Sequence, residues 1–270
     1  MSNDFFIRAI NLPLETFYLV LALSGLRFIG LAYGFVVFGW GLSSNQTLRI
    51  GVSLILSIPI MIAAAAEIEA LVSETSPFRL VLIAVKEFAL GYGLGLLASA
   101  PFRSLAYAGE ITDTFRGENN SGITSPDGGQ MSTLSNFYFV IGVYVFVGIG
   151  GLVPLIALVY SSYAIWPISG ALPTFFAGAG EIVIHGIGKG LELALVICAP
   201  LMILFLSIEF ILIISAKAGR RFGLYNMSFT IKNLVMVLSL PVLAMVIVGF
   251  SEEYTQFAVS ALSTLESILE

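Results

Sequence analysis

The chain has 270 residues, of which 58% are hydrophobic and only 11% charged, and its formal net charge is −5. A soluble domain averages about 45–50% apolar and about 25% charged residues, so this composition leaves too little polar surface to cover a water-facing fold. The acidic balance, without a large Lys/Arg cluster, also argues against nucleic acid as a partner.

Six apolar windows along the chain approach or exceed the length of about 20 residues that a membrane-spanning helix needs. They are residues 16–38, 50–66, 80–100, 137–165, 191–215 and 231–250. Prolines or glycines interrupt four of them, which predicts kinks or breaks. The interrupting residues are Pro59, Gly148, Gly150, Gly151, Pro154, Pro200 and Pro241. We therefore predict an all-α, polytopic helical membrane protein, with residues 1–270 forming a single membrane-embedded domain because no long polar linker divides them.

Charge in the polar segments predicts how the chain enters the membrane. Asp4 and Glu15 are incompatible with the basic start of a cleavable signal peptide, so we expect the first apolar segment to remain as an anchor. Residues 217–232 carry four Lys or Arg side chains and no acid. Positive loops stay in the cytoplasm, and with six spans both termini would then lie outside.

Several ionisable residues fall within the apolar windows. They are Arg27, Lys86, Glu87, Glu209 and, near a window edge, Glu192. Each costs roughly 2.5–3.5 kcal/mol if it faces lipid at a helix centre, so we expect these side chains to face protein or water. Three explanations remain open: internal pairing, such as Arg27 with Glu87 or Glu209, a polar interface within an assembly, or an ion pathway in a stand-alone secondary transporter or channel.

Catalytic and metal-binding patterns are not found in the sequence. His185 has no second histidine or cysteine partner, and Cys198 is the single cysteine, so neither a zinc site nor an internal disulfide is expected. Ser121, Ser125 and Ser132 lack the Gly-x-Ser-x-Gly context of a serine hydrolase. We expect no enzyme activity, no cofactor and no metal.

Glycines recur in the third window, at Gly91, Gly93 and Gly95. Small residues at such spacing let helix backbones approach closely, so this stripe predicts tight helix packing. No strand precedes it, which excludes a dinucleotide-binding loop.

Residues 101–136 form the longest polar connection, and its central part, residues 117–131, is rich in Gly, Asn, Ser and Pro. These residue types favour turns and loops. The segment is either an ordinary solvated connector or a mobile gate in an aqueous cavity.

Two regions resemble the FliR/SctT family, the export-gate subunits of bacterial type III secretion. The first contains Lys86-Glu87, the glycine-rich helix, Ala108-Gly109-Glu110, Asp113 and Arg116-Gly117 in order. The second, residues 199–235, contains an Ala-Pro pair, Glu209, a basic loop and Ile231-Lys232. Residues 150–167, with Gly-Gly and later Trp-Pro, look like the injectisome branch, with the flagellar paralogue as the alternative.

The resemblance implies a multi-pass subunit of the bacterial inner membrane that helps to form and gate the entry pore for unfolded substrate proteins. Implied partners are the other export-gate membrane subunits, the secretion switch and large export-gate subunits, and the exported proteins. It implies a pore or plug loop comprising Gly117, Glu118, Asn119, Asn120, Ser121, Gly122, Ile123, Thr124, Ser125, Pro126, Asp127 and Gly128. We assign polar interface or gating roles to Arg27, Lys86, Glu87, Glu110, Asp113, Arg116, Glu209 and Lys232.

Overall fold

The computed structural model describes residues 14–42, 45–118, 123–124, 130–170, 179–218, 228–241, 244–245 and 248–249. Its longer helices are α1 (Leu14–Gly34), α2 (Val36–Leu42), α3 (Gln46–Glu74), α4 (Pro77–Arg116), α5 (Thr133–Gly148), α6 (Leu152–Ile165), α7 (Ala179–Ala218) and α8 (Ser228–Pro241). Two short strands, β1 (Ile123–Thr124) and β2 (Gln130–Met131), pair antiparallel between α4 and α5. The residue types of this segment predicted turns and loops, and the ladder was not predicted.

Four helices within the described part of the chain are long and apolar enough to cross a membrane, namely α1, α3, α4 and α7. The broken pair α5 and α6 raises the number to five if it forms one span. The predicted class, a multi-pass helical membrane protein, is confirmed. The last window is represented by the shorter α8, and much of residues 242–250 lies outside the described residues. The cytoplasmic orientation of the basic loop stays a prediction.

Two predicted connectors are partly helical. Residues 101–116 belong to α4, which continues through Pro101, and residues 179–190 belong to α7. The prediction of a polar connection from residue 101 was therefore wrong for its first sixteen residues. Composition distinguishes polar from apolar segments, but a helix with one polar face has the same composition as a loop. The predicted break in the fourth window is confirmed, with Gly150 at φ +77° between α5 and α6.

The described chain divides into two compact units. The first contains α1, α2, α3, α6 and the part of α4 up to Ser99. The second contains the rest of α4 from Ala100, the two strands, α5, α8 and most of α7. That residues 1–270 act as a single membrane-embedded domain stays a prediction.

Close helix packing in the first unit depends on four glycines. A Cβ at Gly91 of α4 would collide with the main-chain carbonyl of Arg27 in α1, and one at Gly95 would lie 2.7 Å from the carbonyl oxygen of Leu31. Gly30 and Gly34 of α1 meet the α4 backbone in the same way. Gly93 faces open space, so only two of the three glycines in the predicted stripe serve this contact.

Phe35 separates α1 from α2, and a side chain from α4 repairs the break. The hydroxyl of Ser99, fully buried, accepts a hydrogen bond from the N–H of Val36 at 2.8 Å and lies 2.9 Å from the carbonyl oxygen of Gly34. A broken helix at membrane depth requires such partners, because lipid offers none.

Replacing Ser99 by alanine is expected to lower the free energy of unfolding by about 1–3 kcal/mol, since it leaves the N–H of Val36 buried without an acceptor. Ser104→Ala is the matched control, because the Ser104 hydroxyl donates only to Ala100 of its own helix. Thermal unfolding of both variants in detergent measures the difference. Equal unfolding midpoints would show that the Ser99 hydroxyl does not stabilise the break between α1 and α2.

The second unit has its own apolar core. Leu134, Tyr138, Ala194, Cys198 and Phe205 are buried there. The Cys198 thiol lies 3.4 Å from the sulfur of Met202, one turn later in α7. Cys198 therefore packs in this core as a small apolar side chain, which is the usual behaviour of a buried cysteine.

Candidate functional site

The first unit encloses a cluster of charges around Arg27. Its guanidinium donates two hydrogen bonds to the Glu87 carboxylate, at 2.9 and 3.0 Å, and both side chains are completely buried. It also donates to the Ser162 hydroxyl at 2.9 Å and to the main-chain carbonyl of Trp166 at 2.8 Å. The Tyr163 ring lies 3.9 Å from the guanidinium carbon. Of the two partners considered from the sequence, Glu87 pairs with Arg27 and Glu209 does not.

Lys86 belongs to the same cluster. Its ammonium donates to the main-chain carbonyls of Pro167, Ile168 and Gly170 at 2.9–3.1 Å and lies 3.2 Å from the Glu87 carboxylate. Three carbonyl dipoles therefore compensate the second cation, and the segment after α6 is fixed against α4. An ammonium has three donors, so this arrangement uses all of them.

The second unit contains another charged cluster, where α4 ends and α5 begins. The Asp113 carboxylate accepts a hydrogen bond from the N–H of Leu134 at 2.7 Å, while the Ser132 hydroxyl accepts from the N–H of Ser135 at 3.2 Å. Negative charge is favourable at a helix N-terminus, where free N–H groups concentrate. Asp113 and Ser132 together cap α5, which gives Ser132 a structural role.

Arg116 connects this cap to α8. Its guanidinium lies 2.8 Å from the Asp113 carboxylate, an ion pair without hydrogen-bond alignment, and donates to the Asn233 side chain at 3.1 Å. It also pairs with Glu118, whose carboxylate accepts from the Thr133 hydroxyl at 3.1 Å. The side chains at the two ends of the polar segment are thereby joined.

The end of α4 is capped twice. Gly117, at φ +97°, and Glu118 donate their N–H groups back to Thr114 and Asp113, the pattern of a Schellman cap. The Lys232 ammonium donates to the freed carbonyl of Phe115 at 3.0 Å and pairs with Glu209 at 2.9 Å.

Asp113→Ala is expected to lower the free energy of unfolding by about 2 kcal/mol, because it uncaps α5 and removes a counter-charge of buried Arg116. Thr114→Ala is the control, since the exposed Thr114 hydroxyl donates only within α4. The prediction fails if chemical or thermal unfolding in detergent ranks the two variants equally.

Of the predicted pore or plug residues, Gly117, Glu118, Ile123 and Thr124 are described, and residues 119–122 and 125–128 lie outside the described residues. The main chain of Ile123 and Thr124 pairs with Met131 and Gln130. The described frame is thus a capped helix end, a short ladder and a capped helix start.

The predicted polar residues separate into the two units. Arg27, Lys86 and Glu87 form the cluster of the first unit, whereas Asp113, Arg116, Glu209 and Lys232 belong to contacts of the second. Glu110 is exposed on α4, and among described residues its carboxylate has no hydrogen-bond or ion-pair partner. Glu192 is also exposed, so of the two expected surroundings, protein or water, its side chain does not have protein within this chain. The His185 side chain lies outside the described part of the chain. The residues that are described contain no group of three or more His, Cys, Asp or Glu side chains that could hold a metal ion.

Contacts with Ser99, Ser162 and Asn233 were not predicted. Their partners lie 63, 135 and 117 residues away along the chain, so no local pattern marks them. The position of Asn233 directly after Lys232 was the single available signal, because adjacent residues at a helix start can reach the same helix end.

The chain matches the family described as "Bacterial export proteins, family 1" over residues 18–258. It belongs to that family. The match spans well over half of the chain and confirms the predicted resemblance to FliR/SctT export-gate subunits.

Relatives of this export protein include both secretion and flagellar members. It is 25% identical to Yop proteins translocation protein T of Yersinia pestis over 198 residues, 73% of this chain and 76% of that protein. It is 27% identical to the surface presentation of antigens protein SpaR of Salmonella typhimurium over 62% of this chain and 63% of SpaR. It is 22% identical to the flagellar biosynthetic protein FliR of Aquifex aeolicus over 89% of this chain and 92% of FliR.

Proposed function

We propose that this protein is a subunit of the type III export gate of the bacterial inner membrane, where it helps to form the entry pore for unfolded proteins. Family membership, relatives from secretion and flagellar systems and a multi-pass helical fold support the proposal. Its partners are the other membrane subunits of the gate, the secretion switch, the large export-gate subunit and the exported chains.

We further propose that residues 117–128 block the closed pore. The observation that carries this is the frame around them: Gly117 ends α4 in a Schellman cap, Asp113 caps α5, and Arg116 joins both ends to Asn233. Capped helix ends hold the start and end of a polar segment in place. The Gly and Asn residues of the segment permit the backbone changes that substrate entry demands.

Deleting residues 119–128 from the assembled gate should raise ion leakage through the inner membrane, because the deletion removes the blocking residues, with strand β1, and keeps the two capped helix ends. Leakage is read as membrane depolarisation in cells that express the complete gate. Co-purification of the other subunits with the deletion variant establishes that the gate assembles. An assembled variant with unchanged leakage would contradict the blocking role.

The injectisome branch is our preferred assignment, and the flagellar export gate is the alternative. The Gly-Gly and Trp-Pro pattern in residues 150–167 supports the injectisome branch. Expression in strains that lack either the injectisome or the flagellar subunit tests it. Restored effector secretion without restored motility supports the assignment, and the reverse result refutes it.

Three of the five charged residues that suggested a stand-alone transporter, Arg27, Lys86 and Glu87, give it little support. An ion pathway needs ionisable groups that a solute can reach. Arg27 and Glu87 are fully buried, and Lys86 uses its donors on main-chain carbonyls. These three residues stabilise the first unit and offer no accessible binding face.

A further inference from the structure

Glu209 differs from the other charged residues of its cluster in its exposure. Its side chain is 38% exposed, whereas Glu118 is 24% exposed and Lys232, Arg116 and Asp113 are each at most 6% exposed. It lies six residues before Ser215, the end of the apolar span Ala194–Ser215. At 1.5 Å rise per residue the carboxylate is about 9 Å inside the end of that span.

The surface beside Glu209 is apolar and exposed. Leu206, Phe210 and Ile213 are 49%, 67% and 41% exposed. Their spacing of four and then three residues places them on one continuous stripe of α7. Phe205 and Leu212, on another face of α7, are buried in the second unit. Glu209 therefore lies at the border between the packed face and the free face of α7.

Among the described residues, the charges of this cluster do not balance, because three carboxylates, Asp113, Glu118 and Glu209, face two cations, Arg116 and Lys232. From the part of the chain that the structure describes, the Glu209 carboxylate receives one hydrogen bond, through Oε2 from Lys232. An anion that is partly exposed within an apolar span is costly against lipid, and a further donor on a neighbouring helix would stabilise it.

We propose that the face of α7 formed by Leu206, Phe210 and Ile213 docks a transmembrane helix of another export-apparatus subunit that carries one Lys or Arg side chain. The cation of that side chain binds the free side of the Glu209 carboxylate. The apolar stripe supplies the packing surface, and the surplus negative charge selects a cationic partner. This inference rests on the proposed function, because it requires a hetero-oligomeric gate.

Glu209→Gln in the co-expressed complex tests the docking. Polar contacts between membrane helices contribute about 0.6–1.4 kcal/mol, so the variant should retain roughly three- to tenfold less of one membrane subunit through detergent purification. Glu192→Gln, an exposed glutamate of α7 before the apolar span, should retain wild-type amounts. Wild-type retention by Glu209→Gln overturns the proposal.

The double variant Glu209→Gln/Lys232→Gln separates docking from the pair within the chain. Both charges are then absent, so no uncompensated lysine remains buried. If Glu209 serves Lys232 alone, the double variant regains wild-type retention, and the docking proposal is overturned. If Glu209 binds a partner cation, retention stays three- to tenfold lower.

A photo-crosslinking residue at Phe210 gives a second measurement that does not depend on stability. A covalent adduct with a co-expressed membrane subunit is the expected product, and adducts with lipid alone overturn the proposal. If deletion of residues 119–128 makes the gate leak but Glu209→Gln leaves subunit retention unchanged, the docking is refuted and the proposed function still holds.

Discussion

Replacing Glu87 by glutamine is expected to lower the free energy of unfolding in detergent by about 3–5 kcal/mol. Within the described ranges of the chain, Glu87 is the one carboxylate that contacts the fully buried Arg27 and the nearly buried Lys86. Its removal leaves two neighbouring cations without a counter-charge. Removing one partner of a buried ion pair lowers stability far more than replacing the whole pair by apolar side chains. Thermal or denaturant unfolding of the purified protein measures the loss.

Glu69→Gln is the matched control, because Glu69 is an exposed glutamate on α3 of the same unit. It should change stability by less than about 0.5 kcal/mol. Adding Lys86→Met to Glu87→Gln should recover part of the loss, since it removes one of the two facing cations. A double variant less stable than Glu87→Gln would show that the three carbonyl contacts of Lys86 outweigh the repulsion.

Gly91→Ala is expected to cost about 1–3 kcal/mol and to disturb the packing of α1 on α4. The added Cβ would overlap the main-chain carbonyl of Arg27, and a backbone carbonyl cannot rotate away as a side chain does. The displacement also moves Arg27 relative to Glu87, so the charged cluster and the helix contact weaken together.

Gly93→Ala is an internal control two residues along the same helix. Its Cβ would meet no atom within 4 Å, and alanine favours a helix over glycine by up to about 1 kcal/mol. The variant should therefore match or exceed wild-type stability in the same unfolding assay. Equal losses at Gly91 and Gly93 would show that the α1–α4 contact is not the cause.

The parts of the fold predicted from sequence are those that local composition determines. Apolar length gave the membrane class, and the glycines after α5 gave the break at Gly150. The paths of α4 past Pro101 and of α7 before residue 191 were missed, because polar helical turns and loops share a composition. Each of these helices extends a correct window by more than ten residues.

The candidate site was predictable as residue types and not as partnerships. Arg27, Lys86, Glu87 and Glu209 were identified because they are charged and lie in apolar windows, where an unpaired charge that faces lipid is costly. Glu87 and Glu209 were named from the sequence as possible partners of Arg27. The pairing of Glu209 with Lys232 was not predicted, because it depends on the contact between α7 and α8. Long-range contacts of this kind follow from the packing of whole helices, which no single window contains.

Conductance of liposomes is the decisive measurement, because it compares this protein alone with the assembled gate. We expect no conductance from the protein alone, a closed gate when all membrane subunits are present, and a conducting gate when residues 119–128 are deleted from this subunit. Solute or ion flux through the protein alone, at the level of the deleted gate, would contradict its role as one subunit of a protein-conducting assembly.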